Sequence, residues 1–167
     1  MKPLALLALL AGLVITLSSC VIVAPPAFRF DSNWQRTTDG AWVFCSNRYT
    51  VMRYSFPGPA DISWIHSVTE VYHGYASSNT VRWDRPRTHL TRVAGRWEVT
   101  VLIRDGSRML VPQHLPPDVE QQTIVVTPIA PPFPALVGTT MVTVMVKMTD
   151  GRSISGSYPF DVYAHCP

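Results

Sequence analysis

The chain has little charge, almost no lysine and no room for long helices. Charged residues are 15% of its 167 positions, against about a quarter in ordinary soluble domains. With 47% hydrophobic residues beside that, it is no disordered polyelectrolyte. Lysine occurs only at Lys2 and Lys147, so arginine carries nearly all the positive charge. Net charge is +3, and without Lys2 the balance is 13 basic against 11 acidic residues, or about +2, which argues against nucleic acid as a partner. Beyond residue 20, prolines and glycines recur so closely that long helices, coiled coils and helical bundles are excluded. There is no G-x-S-x-G elbow, H-E-x-x-H, C-x-x-C, phosphate-cradling glycine loop or EF-hand pattern. What is abundant is valine (20) and threonine (15), which favour strands.

The first residues form a leader. Met1-Lys2-Pro3 is a short basic start, and Leu4 to Leu17 is an almost unbroken apolar run ending in Leu17-Ser18-Ser19-Cys20. Residues 1–19 therefore read as a signal peptide. The four residues at its end resemble the lipobox of bacterial lipoproteins. The resemblance covers the leader alone and implies lipidation of Cys20: a diacylglycerol on its sulfur, cleavage behind Ser19, and an acyl chain such as palmitate on the new amine. Several chains give stable anchoring. Val21, rather than Asp, after the cysteine implies the outer membrane where the host has one. The competing readings are an uncleaved membrane span continuing to Ala24 and a conventional signal leaving Cys20 free.

With Cys20 lipidated, the odd count of three cysteines resolves into one pair, Cys45 and Cys166, expected as a disulfide in an oxidising compartment. Residues 20–40, with Pro25-Pro26 and scattered aromatics, read as a lipidated tether, and residues 41–167 as a single domain, although docking of those aromatics would move the boundary anywhere from about residue 28 to 41. Eleven short β-rich runs are expected: 42–45, 49–56, 62–72, 80–83, 88–93, 97–104, 109–111, 122–127, 139–148, 152–157 and 160–166. Ala94-Gly95, Asp105-Gly106 and Asp150-Gly151 mark hairpins, with residues 88–112 as a three-stranded meander. Pro128 to Pro134 reads as a long surface connection and Pro117 to Glu120 as one helical turn. The fold class is all-β, an antiparallel β-sandwich, with a small β-barrel as the alternative. It is similar to immunoglobulin domains in general outline only, because the spacing of Trp64 from Cys45 and of Tyr163 from Cys166 departs from theirs.

Candidate chemistry is sparse. His66, Glu70 and His73 would share one face of a helix, but the β-forming residues among them put them on a strand, with His66 and Glu70 on one side and His73 on the other. A metal site is not expected there, nor a copper site at Met141, Met145 and Met148, where alternation separates the third methionine from the other two. Arg82, Trp83, Arg85, Arg87, Arg92 and Arg96, with Trp97 nearby, form the one basic and aromatic segment, which could hold an anionic glycan or a lipid headgroup. The expectation is an envelope lipoprotein without catalytic activity or cofactor. Its partners would be the membrane, through the lipid, and an envelope protein. Glycan or headgroup binding is the alternative, and an extracytoplasmic enzyme the third.

Overall fold

The computed structural model describes residues 28–84, 89–104, 111–115 and 124–167. The strands are β1 (Arg29–Ser32), β2 (Trp34–Arg36), β3 (Val43–Cys45), β4 (Thr50–Pro57), β5 (Ile65–His73), β6 (Ser78–Asp84), β7 (Thr91–Val93), β8 (Arg96–Arg104), β9 (Val111–His114), β10 (Thr127–Ile129), β11 (Leu136–Met148) and β12 (Ser153–Tyr163). One turn of 3-10 helix, Ile62–Trp64, precedes β5. The fold is all-β and sandwich-like, not a closed barrel. One sheet runs β1-β4-β8, with β7 and β9 beyond β8, and the other runs β3-β12-β11-β5-β6.

Alternation explains the packing. On β11, Val142, Val144 and Val146 are fully buried while Met141 and Met145 face outward, and each buried aliphatic side chain stabilises the fold by about 1.5–3 kcal/mol. From the opposite sheet come Met52, Tyr54 and Phe56 of β4 and Trp97, Val99, Val101 and Ile103 of β8. Phe44 and Phe160 stack at 4.1 Å between centroids on neighbouring β3 and β12.

The Ala94-Gly95 turn has positive φ at both residues, 47° and 80°, as a tight hairpin between β7 and β8 requires. Gly151, at φ 87°, does the same between β11 and β12. Asp105-Gly106 and the turn at Pro117 to Glu120 lie outside the described residues. The expected meander is laid out differently. β4 covers one edge of β8, so β7 (opposite 96–98) and β9 (opposite 101–104) lie end to end along the other.

The domain takes in the chain from Phe28, the early end of the expected boundary range: β1 pairs with β4, and Phe28 and Trp34 are buried, because these aromatics have apolar surface to remove from water. Two expectations are corrected. The runs 152–157 and 160–166 merge into β12. Pro159 interrupts nothing there, since β12 meets β3 only from Asp161 onward and the missing N–H falls on an edge still uncovered. The proline-rich connection is part strand, because Thr127–Ile129 runs parallel to β2 and Ile129 is buried.

That β2–β10 pair roofs a second, smaller core on the outer side of β3 and β12, formed by Trp34, Val43, Cys45, Ile129, Tyr163 and Cys166. Cys45 and Cys166 are disulfide-bonded, with Cα atoms 6.0 Å apart. The bond ties the end of β3 to the segment just beyond β12, its parallel neighbour in the sheet. Arg36 closes the rim, reaching Asp161 at 2.8 Å and Asp39 at 2.6 Å. Its guanidinium holds the Asp39 carboxyl down at about 2.

Candidate functional site

The described members of the Arg and Trp segment do not share one surface. Arg82 stands exposed on β6 and pairs with Asp84 at 3.2 Å, while Trp83, next along the strand, turns the other way and packs against the main core. Arg92 and Arg96 belong to the opposite sheet. Arg92 donates to the Pro59 carbonyl at 2.7 Å and lies 5.2 Å over Trp97. That indole is only 6% exposed, and its N–H donates to the same carbonyl at 2.8 Å. The pair thus fastens the segment after β4 and presents no stacking face. Arg96 donates to the Ser55 hydroxyl and carbonyl. Arg85, Arg87 and Cys20 lie outside the described residues.

His66 and Glu70 do not face the same way. Lys147 opposes Ser67 and Met148 opposes Ile65, so His66 is the extra residue of a bulge and the side-chain parity shifts across it. His66 and His73 are exposed, and Glu70 is fully buried.

Around Glu70 lies the one elaborate polar cluster of the described core. Tyr54 of β4 donates its hydroxyl to Oε1 across the sandwich, and Tyr72 of β5 donates to Oε2 at 2.8 Å. His114 of β9 places Nε2 3.0 and 2.9 Å from the two oxygens. An ionised carboxylate can only accept, so this nitrogen carries the proton. Burial, reinforced by the neighbouring carboxylate, pushes the Tyr72 phenol well above its ordinary value. The Trp83 ring lies 4.4 Å from His114, and His89 lies 5.3 Å from Trp83 and 5.5 Å from His114. Burial holds His89 below the usual histidine range, and His114 adds to the effect. Trp83 Nε1 and His89 Nδ1 are buried without a hydrogen-bond partner among the described residues.

The sheet edge explains the meeting of two histidines 25 positions apart. β7 starts and β9 stops at the middle of the β8 edge, so the residue before Leu90 and the last residue of β9 converge there. Sequence reasoning missed this cluster. The available signal was Val68, Glu70 and Tyr72 at alternate positions, which puts an acid on an inward face where it requires donors. A second charged group lies on β1, β4 and β8, where Arg53 meets Asp31 at 2.9 Å and Glu98 at 3.6 Å. Burial raises both carboxylates against the pull of Arg53.

Chemically, the Glu70 cluster is a cross-link. Both oxygens are occupied, the donors are phenols and an imidazole, and no hydroxyl or thiol nucleophile joins them among the described hydrogen bonds. No group of three or more His, Cys, Asp or Glu among the described residues is placed to hold a metal ion.

No family model matches the chain, and no curated protein matches it. Among solved structures it is similar to a DUF4466 family protein from Parabacteroides merdae, with 9% identity and a TM-score of 0.30. The match covers 83% of this chain and 46% of that one, so this chain spans under half the length of its structural neighbour.

Proposed function

We propose that the protein is a membrane-anchored cell-envelope lipoprotein whose sandwich is a structural or protein-interaction module without catalytic activity. The observation that carries this reading is the use of its cysteines. Cys45 and Cys166 are bonded to each other, which leaves Cys20 as the one cysteine outside a bridge, and it stands directly behind Leu17-Ser18-Ser19. A disulfide suits an oxidising compartment, and an acylated Cys20 would hold the domain at a membrane there, the outer membrane in a two-membrane host.

The histidine and carboxylate cluster is what would speak for an enzyme, but a carboxylate buried and held by three donors has no room for substrate. The Arg and Trp segment as a glycan or headgroup site is the weaker proposal, because its described arginines are divided between two sheets. Exposed apolar residues after β5 and at the start of β11, namely Tyr75, Leu136 and Val137, offer a surface to an envelope protein. The test is Cys20→Ala in the full chain. It should abolish incorporation of labelled fatty acid and release the protein from the membrane fraction, and undiminished labelling would refute the reading.

A further inference from the structure

The point where the chain enters the sandwich defines which end would meet a membrane. Phe28 packs on Phe56 at 5.6 Å, and a Cβ on Gly156 would lie 2.5 Å from the Phe28 side chain. Arg29 opposes Ser55, two residues before β4 ends. At that same end lie the 3-10 turn before β5, the Ala94-Gly95 turn and the Asp150-Gly151 turn. Tyr75, Leu136 and Val137 lie beyond the other end of β5.

A groove of about 720 Å³ opens at the entry end, lined by Pro57, Pro59, Trp64, Met148, Ile154 and their neighbours. Its parts are held in place. Trp97 and Arg92 both donate to the Pro59 carbonyl, and Thr149 N–H donates to the Trp64 carbonyl at 2.9 Å. The Trp64 indole is nonetheless 49% exposed, and Val93 nearby is 45% exposed. Arg92 stands beside Pro59, and Asp150 and Arg152, paired at 2.7 Å, belong to the groove lining. An amphipathic ring on a platform held in place suits the boundary between headgroups and acyl chains.

We propose that this end rests on the lipid surface, with Trp64 inserted at the interface, an inference that depends on the lipid anchor at Cys20. Seven residues separate Cys20 from Phe28, a reach of at most about 28 Å. Those seven include Val21-Ile22-Val23 and Pro25-Pro26, so this segment is mostly apolar. β5 has nine residues and spans about 30 Å, so bringing the far end to the bilayer would exceed that reach.

The experiment uses the full, acylated chain in phosphatidylcholine–phosphatidylglycerol vesicles, with and without acyl chains brominated near the headgroup. The emission lost on Trp64→Phe defines the Trp64 contribution, which should be largely quenched by the brominated lipid while that of Trp34, Trp42, Trp83 and Trp97 is retained. Anchored protein whose Trp64 emission is the same in both vesicles would overturn the proposal and leave the lipoprotein reading standing. Absence of acylation at Cys20 would remove both.

Discussion

The molecule has two buried regions that are closed by different means. The small core under β2 and β10 is apolar and shut by a covalent bond between Cys45 and Cys166. The large core between the sheets encloses Glu70 and closes around it with hydrogen bonds from β4, from β9 and from its own strand, β5. Where few side chains are buried, hydrophobic area alone stabilises little and a cross-link adds most. Where many are buried, a charged group can be kept, provided every oxygen finds a donor. The lesson is that the disulfide adds stability, whereas the Glu70 cluster chiefly fixes which strands meet.

Breaking the covalent side should have the largest effect. With its cysteines 121 positions apart in sequence, the bond restricts the unfolded chain enough that Cys45→Ala with Cys166→Ala should lower the unfolding free energy by about 3–5 kcal/mol in urea titration. A loss below about 1 kcal/mol would mean that the small core holds by packing alone. On the polar side, Glu70→Ala should cost about 3 kcal/mol, because Tyr54, Tyr72 and His114 lose their common acceptor inside the core. Glu70→Gln keeps one acceptor oxygen and should cost about half as much. Equal and negligible losses would show that the cluster is not a cross-link.

Next comes packing at the seam where β1 meets β12. Gly156→Ala brings a Cβ to 2.5 Å from Phe28 and should lower stability by about 1–3 kcal/mol, read from the thermal midpoint. A neutral result would show that Phe28 moves freely.

The smallest effect is that of pH. Burial depresses the His89 pKa below the 6.5 of an exposed histidine, so the unfolded chain binds that proton more readily. Its contribution is present above 6.5 and lost as pH falls through the depressed value. Asp31 and Glu98 are raised by burial, so they act in the opposite sense: their contribution is complete below the ordinary carboxylate values and lost as pH rises through the raised ones. On acidification the His89 contribution lowers the thermal midpoint while the two carboxylates raise it, so His89→Gln should shift the midpoint in mild acid upward relative to neutral pH, when compared with the unsubstituted chain. An unchanged pH dependence would remove His89 as a source of it.

The all-β class, the disulfide and two hairpin turns were legible because each depends on neighbouring residues or on simple arithmetic. Gly95 and Gly151 sit where tight turns need positive φ, and Val142, Val144 and Val146 carry their burial in their alternation. The Glu70 cluster was not legible for two reasons. A single bulged residue, His66, breaks the parity on which facing is counted. His89 and His114 meet only because two strands share one edge of β8, a matter of sheet order that local pattern does not contain. The aromatics from Phe28 to Trp34 looked like tether for the same reason, since their strand partner, β4, lies some twenty positions away.

The position of β12 has a consequence for the order of folding. The last strand of the chain is an interior strand of its sheet, between β11 and β3, and β3 reaches it only in parallel register across most of the sequence. β11 and β12 can form a hairpin on their own, but β3 has no place in the sheet until Asp161 to Tyr163 are present. Such long-range closure is slow. A chain released without its final strand would leave β3 and β11 with bare edges, and those edges would invite pairing with other chains.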